Sequence, residues 1–129
     1  MSSSNHQRSF KNFSVIKHDA KYYEIEVVEG GEFGFEDLAQ LVEAQEEMGA
    51  EQLPVIVLCG DYSSTDIDFM NHISKNANDP YSAADAFVIT SIAQRILANF
   101  YIRIVRPQRP TKFFNTKEDA LGWIQKHMK

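Results

Sequence analysis

Cys59 is the one cysteine of the chain, and His72 follows it in what reads as the next helix. A thiolate beside an imidazole would pair a nucleophile with its base. No third residue is placed to orient the histidine, and a lone cysteine ending an apolar run is as a rule inert core. No catalytic residue is therefore assigned, and the protein is expected not to be an enzyme. Asp61, Asp66 and Asp68 could gather on a hard cation, which wants several carboxylate oxygens. Helix capping explains them more simply: Ser64, Thr65 or Asp66 stands where an N-cap is needed, and Asp68 falls in a first turn. His6, His18, His72 and His127 have no ligand spacing, so neither a metal nor a cofactor is expected.

Two polar groups remain. Asp61, Ser63, Ser64 and Thr65 make a candidate regulatory or partner-binding turn, and Arg95, Arg103, Arg106 and Arg109 a candidate seam for an anion or an acidic partner. A competing reading makes the seam a solvated face that pairs with the protein's own carboxylates. The charge pattern bears on both. Residues 22–74 hold 13 acids and no Lys or Arg, whereas residues 75–129 hold nine bases against four acids, so the net charge of -5 conceals a bipolar chain. Either the two regions face each other across the fold and solvate its surface, or the segregation is a bipolar surface for docking to a protein. It does not suit nucleic acid, since no aromatic platform or reading motif accompanies the arginines. The Gly30–Gly34 loop has no phosphate-cradling spacing, and Glu29 and Glu32 would repel a phosphate; it reads as a turn leading into a helix.

The elements that position these residues follow from periodicity. Phe13 to His18 and Tyr22 to Val28 are β-branched and aromatic around a short polar break, which predicts an antiparallel hairpin. A helix follows with Leu38, Leu41, Val42, Gln45 and Met48 on its inner face and Gly49 as its stop. Val55 to Cys59 is the most continuous apolar run, as a central parallel strand requires. Ala86 to Ile89 is a second such strand, and Ser91 caps a helix whose apolar positions Ala93, Ile96, Leu97, Phe100, Tyr101 and Ile104 recur at helical spacing. Ala98, Ile102 and Val105 widen that arc, leaving Arg95, Asn99, Arg103 and Arg106 as a narrow solvent seam. Pro107 ends the helix, Pro110 sets up the extended Thr111 to Phe114, and Asn115 or Thr116 caps a last helix with Ala120, Leu121, Ile124 and Met128 inside.

The order is ββαβαβαβα: an α/β fold with a mixed, mostly parallel five-stranded sheet, an antiparallel edge strand and about four helices. At 129 residues and 43% hydrophobic content, residues 13–129 are one domain. Residues 1–12, serine-rich and poor in apolar groups, are expected to be a flexible arm. With one cysteine, no signal-peptide pattern and no membrane span, the expected location is the cytoplasm.

The stretches Phe87-Val88-Ile89-Thr90-Ser91, Ala93-Gln94-Arg95-Ile96-Leu97-Ala98-Asn99-Phe100-Tyr101, Arg106-Pro107-Gln108-Arg109-Pro110-Thr111, Phe114 and Ala120-Leu121-Gly122-Trp123 resemble small uncharacterised bacterial proteins of the SpoIIAA-like, or STAS-like, fold. The specific part covers residues 84–124; the rest, from Phe13, matches in order of elements. The resemblance implies the fold shared by anti-sigma-factor antagonists, whose phosphorylatable serine lies in an Asp-Ser-x-Gly-Leu turn. The matching stretch here is Gly60-Asp61-Tyr62-Ser63-Ser64-Thr65-Asp66-Ile67, which keeps the serines and lacks the Gly-Leu. It implies a non-enzymatic protein-interaction or regulatory module. The alternative is a binding domain for a small anionic or lipid-like ligand, suggested by the arginine seam and the wide apolar arc beside it. That arc, extended by Tyr101, Ile102 and Val105, also predicts a homodimer.

Overall fold

The computed structural model describes residues 6–61 and 63–128. Its sheet has six strands in the order β1-β2-β3-β4-β5-β6. They are β1 (Gln7–Ser9), β2 (Phe13–His18), β3 (Tyr22–Val27), β4 (Leu53–Cys59), β5 (Ser82–Val88) and β6 (Thr111–Phe114). β1, β2 and β3 pair antiparallel, and β3 to β6 pair parallel. The strand beyond the five expected is β1, in the segment expected to be a loose arm. Gln7 pairs with Ile16 and Ser9 with Ser14, and Phe10 stacks on Phe13 at 4.8 Å. Residues 1–5 of that arm lie outside the described residues.

Because spatial order equals chain order, each parallel crossover steps the same way across the sheet. Crossovers of one hand then place their helices on one face. These helices are α1 (Phe35–Glu47), α2 (Ile67–Ile73) and α3 (Ile92–Phe100), the last continuing as a π-helical turn over Tyr101–Val105. α4 (Lys117–Ile124) follows the final strand and covers the opposite face. The caps are those the sequence required. Asp66 accepts from Phe69 N at 2.7 Å, Ser91 from Gln94 N at 3.1 Å and Thr116 from Asp119 N at 3.2 Å.

The α4 face has a sealed centre with a half-buried rim. Ile56, Ala86, Ala120 and Ile124 have no exposure, and Phe114, Leu121 and Trp123 pack around them. On the other face Phe13, Val15, Tyr23, Leu53 and Val55 are buried under α1. Toward β5 and the edge strand β6 the cover thins: Val57, Phe87 and Phe113 are only half-buried.

Gly60 ends β4 where two strands converge. A Cβ there would lie 2.4 Å from Val27 O and 2.8 Å from Glu29 N, distances no side chain tolerates, so the turn that follows is fixed against the end of β3.

Candidate functional site

The two strand-end turns meet. Thr90 Oγ1 donates to Asp61 Oδ1 at 2.7 Å. Gln94, on the first turn of α3, spans the gap: its Nε2 donates to Gly60 O at 3.0 Å and to Ser63 Oγ at 3.3 Å, while its Oε1 accepts from Thr90 N at 2.9 Å. Ser64 is held by its backbone, donating to Gly31 O at 3.1 Å and accepting from Phe33 N at 3.2 Å. Thr65 Oγ1 donates to Phe33 O at 3.0 Å. Asp61, Ser63, Ser64 and Thr65 are thus brought together as a braced turn. Asp66, not a serine, caps the helix, and Gly34 precedes α1 as its N-cap.

The four arginines do not form one seam. Arg95 reaches Asn115, Arg103 is exposed, and Arg106 adopts a left-handed conformation (φ 60°) with its Nε donating to Arg103 O at 3.2 Å. Arg109 is buried elsewhere. Its Nε donates to Asp85 Oδ2 at 2.8 Å, and its Nη2 donates to Asp79 Oδ2 at 3.0 Å and Ile73 O at 2.8 Å. The reason lies in β5, where Asp85 points into the sheet's helix-covered face and needs a cation beside it. Ser82 Oγ donates to the other oxygen of Asp85. Burial, with the Asp85 charge adding and Arg109 opposing, pushes the Asp79 carboxyl up to about 7.

Cys59 and His72 do not pair. Burial pushes the Cys59 thiol up to about 12, which denies it thiolate character near neutrality. His72 instead packs its ring against Phe35 at 4.9 Å. Among the described residues no group of three or more His, Cys, Asp or Glu could hold a metal, and no helix is long and apolar enough to cross a membrane.

α3 is turned differently from its expected face. Gln94, Ala98 and Tyr101 are buried and Leu97 half-buried, whereas Ile92, Ile96 and Ile104 are 82%, 64% and 67% exposed. At about 100° per residue, Ile92 and Ile96 share the outer side with Arg95 and Asn99. The wider i→i+5 turn brings Ile104 back beside them. The helix buries small and polar groups because it stands away from the sheet. Tyr101 props it there, its ring meeting Phe87 edge-on at 6.2 Å and Phe113 at 6.4 Å.

Beneath α2 and α3 the stand-off leaves a cavity of about 150 Å³. Val57, Phe87, Leu97 and Phe113 form its apolar walls. Ser63 and Gln94 lie at the end where β4 and β5 finish; Gln45, Tyr101, Asp79 and Asp85 lie toward the end where they begin. Crossover helices run opposite to their strands, so Gln45, late in α1, and Tyr101, just after α3, come to that same end. Gln45 has no exposure, yet neither its Nε2 nor its Oε1 has a hydrogen-bond partner among the described residues. The Tyr101 hydroxyl, on a residue only 2% exposed, also lacks one. Burial, helped by the Asp85 charge, raises its pKa above the usual tyrosine value and keeps the proton on. Such atoms ordinarily find partners, because each one left unpaired costs on the order of 1–3 kcal/mol. Periodicity places Gln45 on the inner face of α1 and assigns it no role. An amide among apolar inner-face positions was the available signal.

The fold has a solved relative. A Shewanella loihica PV-4 protein of the DUF3478 family, described as uncharacterised and with a SpoIIAA-like fold, superposes with a TM-score of 0.53 at 13% identity, covering 87% of this chain and 91% of that one. At that identity the likeness shows the fold alone: this is a SpoIIAA-like α/β domain, with six strands where five were expected. No curated protein matches the chain. Residues 24–128, from mid-β3 through α4, match the family described as Domain of unknown function (DUF7793), and the chain belongs to that family.

Proposed function

We propose that the protein is a non-enzymatic binding domain for a small, largely apolar molecule held between the sheet and the α2–α3 roof. The observation that carries this reading is the pairing of apolar walls with buried polar atoms of Gln45 and Tyr101 that have no partner among the described residues. Sites for small molecules combine these two features: an apolar concavity for affinity and a few fixed polar groups for orientation. A cavity of about 150 Å³ takes a molecule about the size of benzene. The arginine seam does not contribute, since Arg109 is committed to Asp79 and Asp85. Thermal unfolding in the presence of small apolar compounds tests the reading. A ligand at about one hundred times its dissociation constant adds about 2.7 kcal/mol, and its shift should disappear on Leu97→Trp, which fills the cavity. A panel of benzene-sized compounds that leaves the melting temperature unmoved would overturn it.

A second reading, an interaction module that self-associates, is favoured by the exposed isoleucines of α3. α4 lies on the other face and cannot cover them. Arg95 and Arg103 lie beside that row, while neighbouring α2 presents exposed Ile67 with Asp66 and Asp68. A twofold contact would set the arginines of one copy against the aspartates of the other twice over. Light scattering at rising concentration checks this. A dimer that Ile96→Glu dissociates without unfolding is expected, and a monomer mass throughout contradicts it.

A further inference from the structure

We infer that the polar end of the cavity selects a neutral head group that both donates and accepts hydrogen bonds, as a carboxamide or an alcohol does, and rejects a carboxylate. This rests on the binding reading above and specifies its ligand. Gln45 presents an unpaired N–H donor and an unpaired carbonyl acceptor at the same end as the unpaired hydroxyl of Tyr101. A head group with both functions can pair with the donor and the acceptor of Gln45 together; a group that only accepts leaves the Gln45 oxygen bare, and one that only donates leaves its nitrogen bare.

Charge excludes the anion. Asp79 and Asp85 line this end of the cavity, and the cation beside them, Arg109, is not among the lining residues. Its Nε and Nη2 are spent on the two carboxylates and on Ile73 O. An incoming carboxylate would meet the Asp85 charge, with Asp79 beside it, in a desolvated site with no free counter-ion. An ammonium offers donors only and leaves the Gln45 nitrogen without a partner.

The test uses the intact chain and five probes on one ring skeleton near neutral pH: benzamide, benzyl alcohol, benzoate, benzylamine and toluene. Calorimetric titration should find benzamide bound about tenfold more tightly than toluene, the equivalent of one well-made buried hydrogen bond. Benzyl alcohol should fall between them, benzoate should be weaker than toluene, and benzylamine should be weaker than benzamide. Gln45→Leu should erase or reverse the preference for benzamide over toluene, and Tyr101→Phe should reduce it. Benzoate binding as tightly as benzamide, toluene matching benzamide, or a preference unchanged by Gln45→Leu each overturns the neutral-head assignment while leaving the cavity reading intact. If no probe binds, the cavity reading fails and the assignment with it.

Discussion

The two faces of the sheet are built from similar residues toward different ends. Under α4, Ile56, Ala86, Ala120 and Ile124 are sealed, with Trp123 and Phe114 completing the layer. Under α2 and α3, Val57, Phe87 and Phe113 remain half-buried, and Tyr101 holds the roof off them. One face spends its apolar area on stability. The other keeps a concavity and buries Gln45 and Tyr101 without protein partners among the described residues, a cost that only a ligand or solvent can offset. The difference teaches that the α4 face should answer to packing mutations, and the α2–α3 face to changes in polar chemistry.

The largest effect is expected where polar chemistry anchors the cavity end. Arg109→Met leaves Asp79 and Asp85 buried without a cation and should cost about 3–5 kcal/mol in urea denaturation. Next comes packing on the closed face. Ile124→Ala, at a site with no exposure, should cost about 3 kcal/mol, while Leu97→Ala, at a half-buried wall position, should cost about 1 kcal/mol. Equal losses at 124 and 97 would erase the distinction between the faces.

A third prediction concerns pH. The folded-state carboxyl of Asp79 titrates at about 7, well above an ordinary aspartate. Between its unfolded value, near 4, and about 7, the folded state holds a proton that the unfolded state has released. Stability is therefore fully present below that lower value and falls as pH rises toward the upper one. Asp79→Asn should flatten that fall. An unchanged profile in that variant assigns the titration elsewhere.

Much of this architecture was legible in the sequence. The hairpin announces itself through alternating aromatic and β-branched residues, and the runs at Val55 and Ala86 through their continuity. β1 was not legible, because Gln7-Arg8-Ser9 is a three-residue polar edge with no period to detect. The orientation of α3 was misread because apolar residues occur all round it. A helix that stands off its sheet can bury Gln94 and Ala98 and leave Ile92 and Ile96 outside. Arg109 was grouped with the exposed arginines because nothing local distinguishes it. The distant cue was Asp85, an acid at the head of a strand otherwise read as covered on both faces. A cavity leaves no letter of its own in a sequence; Gln45, an amide in an apolar stripe, was its one trace.

The one expected gain in stability is also the most direct test. Gln45→Leu exchanges an unpaired buried amide for an apolar side chain of similar size. Urea denaturation of the purified variant without added ligand should show a gain of about 1–2 kcal/mol over the parent chain, together with loss of the preference for benzamide over toluene. A loss of stability of similar size would mean that the Gln45 amide is fully paired in solution, and the cavity would not be a site whose polar end awaits a ligand.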